Sequence, residues 1–410
     1  MYKRFAEEKI KRSIDFSPAT MIVGPRQSGK TTLIQACADH RKLDCLSFDD
    51  LRLLNIANEA PGHFFQTYPP PLILDEIQRA PQLFLPMKMA IDQNRTNGMF
   101  MLTGSANPMM LPGVGDSLAG RLIMIPLWPL SQGELADRQE QFIDVVFEEQ
   151  LPKTVLPPFS LEELLHKIII GGYPTMQTLQ NDAMRFDWCS TYLHNILHKD
   201  VRDLAQIEKL GQLPNLLEII AIRSGTMLNV TELSRSTQIP RTTMQRYLQY
   251  LETLFMIHLL PPWHTNSGKR LVKSPKIYLN DTGILSHLCR IDQSTKEIAL
   301  AIKGRLIETF AVIELQKQLS WRSTHHRLYY YRDQRGHEID ILIEGPDRSI
   351  VAIEVKAKSH IKSDDFKGIR HFANTYSDRF RRGIILYPGN ESNLFGNNLI
   401  SLPINSIWEL

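Results

Sequence analysis

The eight residues Gly24-Pro-Arg-Gln-Ser-Gly29-Lys30-Thr31 satisfy G-x-x-x-x-G-K-[ST] in full. The apolar run Met21-Ile22-Val23 precedes them and the helical stretch TTLIQACADH follows. A chain with this order is committed to a strand, a glycine-rich turn and a helix opening at the turn. The glycines let the backbone curl so that its N–H groups face inward on an anion. The new helix directs its positive end at the same point. The reading is a cradle for the phosphates of ATP, formed by Gly24, Pro25, Arg26, Gln27, Ser28, Gly29, Lys30, Thr31 and Thr32. Lys30 is expected to reach the β- and γ-phosphates, and the Thr31 hydroxyl to hold Mg²⁺.

Short apolar runs alternate with amphipathic stretches over residues 19–130: TMIVG, LDCLSF, PLILD, MFMLTGS and RLIMIPL. That alternation predicts an α/β domain with a mainly parallel sheet, its strands buried on both faces. About 45 residues after the phosphate loop, the strand Pro71–Leu74 ends in Asp75-Glu76. Asp75 is expected to hold Mg²⁺ and Glu76 to polarise the attacking water. A third strand, Met99–Leu102, ends in Thr103-Gly-Ser105-Ala-Asn107, where Thr103 and Ser105 are candidates for sensing the γ-phosphate. Arg121, in SLAGR just before LIMIPL, is a candidate arginine finger acting on a neighbouring subunit's nucleotide. That role requires a homo-oligomer. The plain alternative is a helix C-terminal arginine.

At roughly 150 residues per domain, 410 residues correspond to two or three domains. The ranges read are an ATPase domain over 1–150 (opening on a charged, helical leader at 1–13), a helical region over 160–211, a winged-helix-like domain over 212–282 and a C-terminal α/β domain over 296–410. Cys37, Cys45, Cys189 and Cys289 form no CxxC pair, so neither a disulfide framework nor a cysteine-rich metal site is expected. The histidines are scattered and suggest no zinc site. A mixed-charge N-terminus and the absence of a long uncharged apolar run predict a cytoplasmic chain with no signal peptide and no membrane span. The net charge of +3 permits a nucleic-acid partner without arguing for one.

In the middle of the chain, NVTELSRSTQIPRTTMQRYLQYLETLFMIHLL reads as helix–turn–helix followed by a strand. Thr231 is the expected cap of the first helix, and Pro240 opens the second. Met244, Leu248 and Leu251 form its core stripe. Arg241 and Arg246 then lie off that stripe and are candidates for DNA contact. A hairpin carrying Lys269 and Arg270 would be the wing. The alternative is a packing module with solvated arginines.

Near the C-terminus, HEIDILIE and SIVAIEVKA flank a turn at Glu344–Ser349. If they pair as a hairpin, Asp340 comes beside Glu354, and strand alternation puts Lys356 on the same face as Glu354. The helix GRLIETFAVIEL supplies Glu308. Two carboxylates that bind Mg²⁺ or Mn²⁺, Asp340 and Glu354, with a lysine that orients water, suit phosphodiester hydrolysis. Tyr329, Tyr330 and Tyr331 precede this site and are candidates for stacking on bases.

GPRQSGKTT, LILDEIQ, LTGS and SLAGR, in that order, resemble the AAA+ P-loop ATPases of bacteria and archaea. KSPKIYLNDTG, GRLIETFAVIEL and YYYRDQRGHEIDILIE…AIEVKAK resemble the C-terminal DUF4143 domain that follows such ATPases. The order helix–strand–strand–strand–helix–strand is also that of the PD-(D/E)xK nucleases. The resemblance implies an α/β multidomain chain: an ASCE-type parallel-sheet core, a helical and winged-helix middle, and a nuclease-like α/β domain. The expected function is ATP hydrolysis coupled to Mg²⁺-dependent action on nucleic acid, DNA first. The rivals are an ATP-driven switch whose nuclease-like domain only docks, and a signalling ATPase that holds ADP until a ligand arrives.

Overall fold

A computed structural model describes residues 2–38, 43–106, 118–152, 156–200, 210–265, 274–293, 295 and 299–410. Lys269, Arg270 and Asn107 lie outside the described residues. The chain divides into two compact units, one of residues 1–130 with 253–255 and one of residues 131–252 with 256–410. Residues 131–150 therefore belong to the second unit, together with the helical middle and the C-terminal sheet.

The first unit is built on five parallel strands: β1 (Ala19–Val23), β2 (Cys45–Ser47), β3 (Leu72–Asp75), β4 (Phe100–Gly104) and β5 (Leu122–Pro126). Their order across the sheet is β2-β3-β4-β1-β5. Every residue of β1, β3 and β4 is buried, which is why these strands are mostly apolar rather than alternating, with Thr20, Asp75 and Thr103 as buried polar exceptions. The helices Lys30–Ala38 and Phe84–Gln93 follow β1 and β3. Phe84, Met87 and Ile91 close a core with Met21, Leu74, Phe100 and Leu102. The charged leader is the helix Ala6–Phe16, whose buried stripe is Ala6, Ile10, Ser13 and Ile14. Its Ser13 hydroxyl lies 2.9 Å from that of Thr20 on β1.

In the second unit, the helix Leu213–Ile222, β6 (Thr226–Met227), the helices Val230–Thr237 and Arg241–Thr253, β7 (Ile257–Leu260) and β8 (Lys276–Leu279) follow one another. The strands form an antiparallel sheet in the order β6-β8-β7. Met244, Leu248 and Leu251 are all buried. The cap of the Val230–Thr237 helix is Asn229, not Thr231. Its side-chain carbonyl accepts the Glu232 N–H at 3.1 Å, and Thr231 already lies inside the helix.

The C-terminal part runs as the helix Leu300–Trp321, β9 (Arg327–Arg332), β10 (Glu338–Glu344), β11 (Ile350–Val355), the helix Lys367–Thr375, β12 (Phe380–Tyr387), β13 (Asn393–Leu394) and β14 (Leu399–Pro403). These strands form one six-stranded sheet ordered β13-β14-β12-β11-β10-β9. It is antiparallel from β9 to β11 and parallel from β11 through β12 to β14. Tyr329, Tyr330 and Tyr331 are all buried, which removes them as base-stacking residues. Tyr329 and Tyr331 belong to a core with Trp263, Phe366 and Phe372.

Candidate functional site

The phosphate loop leaves β1 at Gly24, where a Cβ would run into the backbone carbonyl of Leu127. Only glycine permits that approach. Gln27 and Gly29 take positive φ, 60° and 93°, and this curls the loop. Arg4 reaches the loop from just before the leader helix, donating to the Ser28 carbonyl at 2.7 Å and the Trp128 carbonyl at 2.6 Å. Lys30 is 4% exposed, and its ammonium donates to the Pro25 carbonyl at 2.9 Å. The Ser28 hydroxyl oxygen is buried and finds no hydrogen-bond partner among the described residues. An unsatisfied hydroxyl and a buried lysine in one loop fit a cradle shaped for an anion.

Adjacent strand ends bring the acids to this loop. The Thr31 hydroxyl donates to Asp75 Oδ1 at 2.6 Å, the Thr103 hydroxyl donates to the same oxygen, and the Ser47 hydroxyl donates to Oδ2 at 3.1 Å. A carboxylate paired with a threonine hydroxyl is the hard oxygen donor set that suits Mg²⁺. Glu76 sits in the left-handed region at φ 56°, ψ 43°, which turns its side chain off the strand direction. Its N–H donates to Thr103 Oγ1 at 3.2 Å. Its carboxylate accepts from the Ser105 hydroxyl at 2.9 Å and from the Gln78 amide. Thr103 and Ser105 therefore fix Asp75 and Glu76 respectively. Gln78, not singled out in the sequence, completes the arrangement by also donating to Ser105 at 2.9 Å. Arg121 is paired within its own chain: its guanidinium spans both oxygens of Asp92 at 2.6 and 3.0 Å.

The second site lies on the C-terminal sheet. Ile341 pairs with Ile353 across antiparallel β10 and β11, so the next pair outward is Asp340 with Glu354. The turn between the strands closes with Gly345 N–H donating to the Ser349 carbonyl at 2.8 Å. Asp340 Oδ2 accepts the Val355 N–H at 2.9 Å, and Lys356 donates to Glu354 Oε2 at 2.8 Å. Burial, then the Asp340 charge, raise the Glu354 carboxyl well above its ordinary range, against the pull of Lys356. Burial and Asp340 likewise push Glu308 up to about 7, against Lys276 and Tyr278. Crowded carboxylates that resist joint ionisation are the donor chemistry of a divalent-cation site, and Asp340 and Glu354 fit one.

Lys276 was missed in the sequence. It opens β8 and is 3% exposed, and its ammonium lies 3.0 Å from Glu308, 2.7 Å from Glu338 and 3.5 Å from Asp340. Two residues on and on the same strand face, the Tyr278 hydroxyl donates to Glu308 at 2.7 Å. Burial opposes the charged ammonium, but the three carboxylates outweigh it and raise the Lys276 pKa. The available signal was a lysine in the otherwise apolar run KIYL. Arg241 and Arg246 are exposed on their helix.

Residues 17–136 match the family "AAA domain", residues 161–295 "Domain of unknown function (DUF8612)" and residues 303–407 "Domain of unknown function (DUF4143)". An uncharacterized protein of Mycobacterium tuberculosis is 26% identical over 407 residues, covering 99% of this chain and 84% of the relative. One from Methanocaldococcus jannaschii is 21% identical over 350 residues, covering 81% and 74%. Among solved structures, the chain is similar to a Walker-type ATPase of Pyrococcus abyssi (14% identical, 70% of this chain, 96% of that chain, TM-score 0.44). It is also similar to the RuvB Holliday junction branch migration motor of Thermotoga maritima (18%, 62%, 86%, TM-score 0.29). The family match falls on the residues that form the phosphate loop, the strand-end acids and the parallel sheet: the chain carries a P-loop ATPase domain of the AAA type at residues 17–136 and a DUF4143 domain at residues 303–407.

Proposed function

We propose that the chain couples ATP hydrolysis to Mg²⁺-dependent cleavage of nucleic acid, DNA in the first instance, by its C-terminal domain. The observation that carries this reading is the meeting of Asp340, Glu354 and Lys356 at one end of the β10–β11 hairpin, with Glu308 reaching the same cluster. In the ATPase domain, the loop N–H groups and Lys30 would bind the phosphates, Thr31 and Asp75 would hold Mg²⁺, and Glu76 would orient the attacking water. Ser105 and Gln78 would hold the Glu76 carboxylate in place until the γ-phosphate competes for these donors. At the second site, Asp340 and Glu354 would hold Mg²⁺ or Mn²⁺, and Lys356 would orient the water. A bound divalent ion supplies positive charge to the scissile phosphate and lowers the pKa of a bound water.

The helix–strand–helix–helix–strand–strand order of residues 213–279 supports a winged-helix reading, in which exposed Arg241 and Arg246, with Lys269 and Arg270, would meet DNA. Arg121 would act on a neighbouring subunit's nucleotide only in a homo-oligomer in which the Asp92 pair opens. No helix among the described residues is long and apolar enough to cross a membrane.

One observation favours a second reading, an ATP-driven switch whose C-terminal domain docks without cutting. Lys276 already places an ammonium 3.5 Å from Asp340, one of the two carboxylates that would hold the metal, while pairing with Glu308 and Glu338. The deciding experiment incubates plasmid, linear duplex and single strands with Mg²⁺ or Mn²⁺, with and without ATP, using wild type, Glu354→Ala and Lys30→Ala. Cutting that is lost in Glu354→Ala establishes the nuclease, and the Lys30→Ala lane reports whether ATP gates it. Intact hydrolysis with no cutting in any lane leaves the switch.

A further inference from the structure

The turn between β9 and β10 and the Lys367–Thr375 helix bring together three side chains that neither candidate site uses. Asp333 opens the turn, and its Oδ1 accepts the N–H groups of Arg335 at 2.8 Å and His337 at 2.9 Å. Gly336, at φ +86°, provides the left-handed residue that lets the turn close on that carboxylate. With Oδ1 anchored by the backbone, Oδ2 faces two imidazoles. His337 Nδ1 lies 2.8 Å from it, and His371 Nε2, from the helix, 3.1 Å. The two rings are stacked, with centroids 3.9 Å apart and planes 18° from parallel. The three ligand atoms all lie within 4.8 Å of one another. The side chains of Asp333, His337 and His371 are 17%, 26% and 29% exposed, so the cluster is rigid at its base and open to solvent on one side.

We propose that Asp333, His337 and His371 form a binding site for a borderline first-row divalent cation, of the Zn²⁺ class. Two imidazole nitrogens and one carboxylate oxygen are the ligands such ions take when a coordination position stays open to solvent. The backbone N–H groups on Oδ1 give the orienting support that ligating carboxylates require. Mg²⁺ is a poor fit because it prefers all-oxygen sites.

The site also has a position in the fold. His371 lies one helical turn after Gly368, where a Cβ would stand 3.4 Å from Glu354 Oε1 and 2.9 Å from the Glu338 carbonyl. His337 directly precedes β10, the strand that carries Asp340. The ion would brace the two elements that flank the Asp340–Glu354 carboxylates, whether or not those carboxylates cut anything.

The test is Co²⁺ titration of the full chain in a large excess of Mg²⁺, read by d–d absorption and displacement by Zn²⁺. One tight equivalent is expected in wild type, lost in His371→Ala and in His337→Ala, and retained in Glu354→Gln. His194 and His198, with ring centroids 4.3 Å apart, are the competing two-histidine pair, so His198→Ala must also retain the equivalent. Asp333→Asn, which keeps an oxygen for the backbone N–H groups, guards against misfolding and is expected to weaken Co²⁺ binding with the circular dichroism spectrum unchanged. The proposal is overturned if wild type shows no Mg²⁺-resistant equivalent. It is equally overturned if the equivalent survives His371→Ala or disappears in His198→Ala.

Discussion

Lys276→Met tests how the C-terminal carboxylates are held. The wild-type ammonium is almost fully enclosed and lies within 3.5 Å of Glu308, Glu338 and Asp340. Methionine nearly matches the volume but leaves those carboxylates without their shared cation. Removing one partner from a buried ion pair costs about 3–5 kcal/mol. At ~2–4 °C per kcal/mol for units of this size, melting should fall by roughly 10 °C. The loss should depend on pH. Glu308 titrates at about 7 in the folded chain, above its ordinary value. A raised carboxyl contributes stability that is fully present below its unfolded pKa, about 4.5, and is lost as pH rises through the folded value. Without Lys276 the folded value rises further, so the variant should be hurt more at pH ~8.5 than at pH ~5.5. Saturating Mg²⁺ or Mn²⁺, at about 100 times its dissociation constant, should return about 2.7 kcal/mol if the carboxylates take the ion in place of the ammonium. The double variant Lys276→Met/Glu308→Gln should lose less than Lys276→Met alone. The assay is a thermal melt by circular dichroism at both pH values, with and without the metal. A melting temperature within ~2 °C of wild type at pH ~8.5 would refute the reasoning.

Three further outcomes are expected. Glu76→Gln should slow ATP turnover by ~10²–10⁴-fold while a fluorescent ATP analogue still binds, since positioning a general base is worth about that much; unchanged turnover would remove Glu76 from the chemistry. Arg4→Ala should destabilise the first unit by about 1.5–3 kcal/mol, the worth of hydrogen bonds to a charged donor, and raise the KM for ATP by loosening the loop at Ser28, both read from melts and steady-state kinetics. Burial lowers His258 to about 4, so the folded chain takes up this proton later than the unfolded chain. Stability should therefore fall as pH drops from about 6.5 through about 4, by up to ~3 kcal/mol, and His258→Phe should flatten that limb in denaturant titrations at stepped pH.

The parts of the molecule legible in the sequence share one property: their geometry is local. The phosphate loop is eight consecutive residues whose glycines dictate the backbone. The parallel sheet announced itself through short, mostly apolar runs, because the central strands, buried on both faces, have no solvent side to alternate with. Asp340 and Glu354 could be paired because one short turn sets the register of β10 against β11, and strand alternation then carries Lys356 to the same face. Tyr329 to Tyr331 show the limit of that logic. Alternation allowed one of each adjacent pair to face solvent, but β9 is covered on both sides, so the run is core.

Contiguous residues could enforce their own chemistry: an ATP-type phosphate loop, its acids at the ends of neighbouring strands, and a hairpin with two carboxylates and a lysine. Which distant side chains answer them is settled by packing in three dimensions. Arg4 on the phosphate loop, Arg121 on Asp92, Lys276 among the C-terminal carboxylates and His371 beside Asp333 join positions from 24 to 124 residues apart with no common spacing. Where the charge is buried, as at Arg4 and Lys276, it has to find a partner, because burying it alone costs too much free energy. That requirement is satisfied in space, so the sequence records that such a residue needs a partner but not which residue it is.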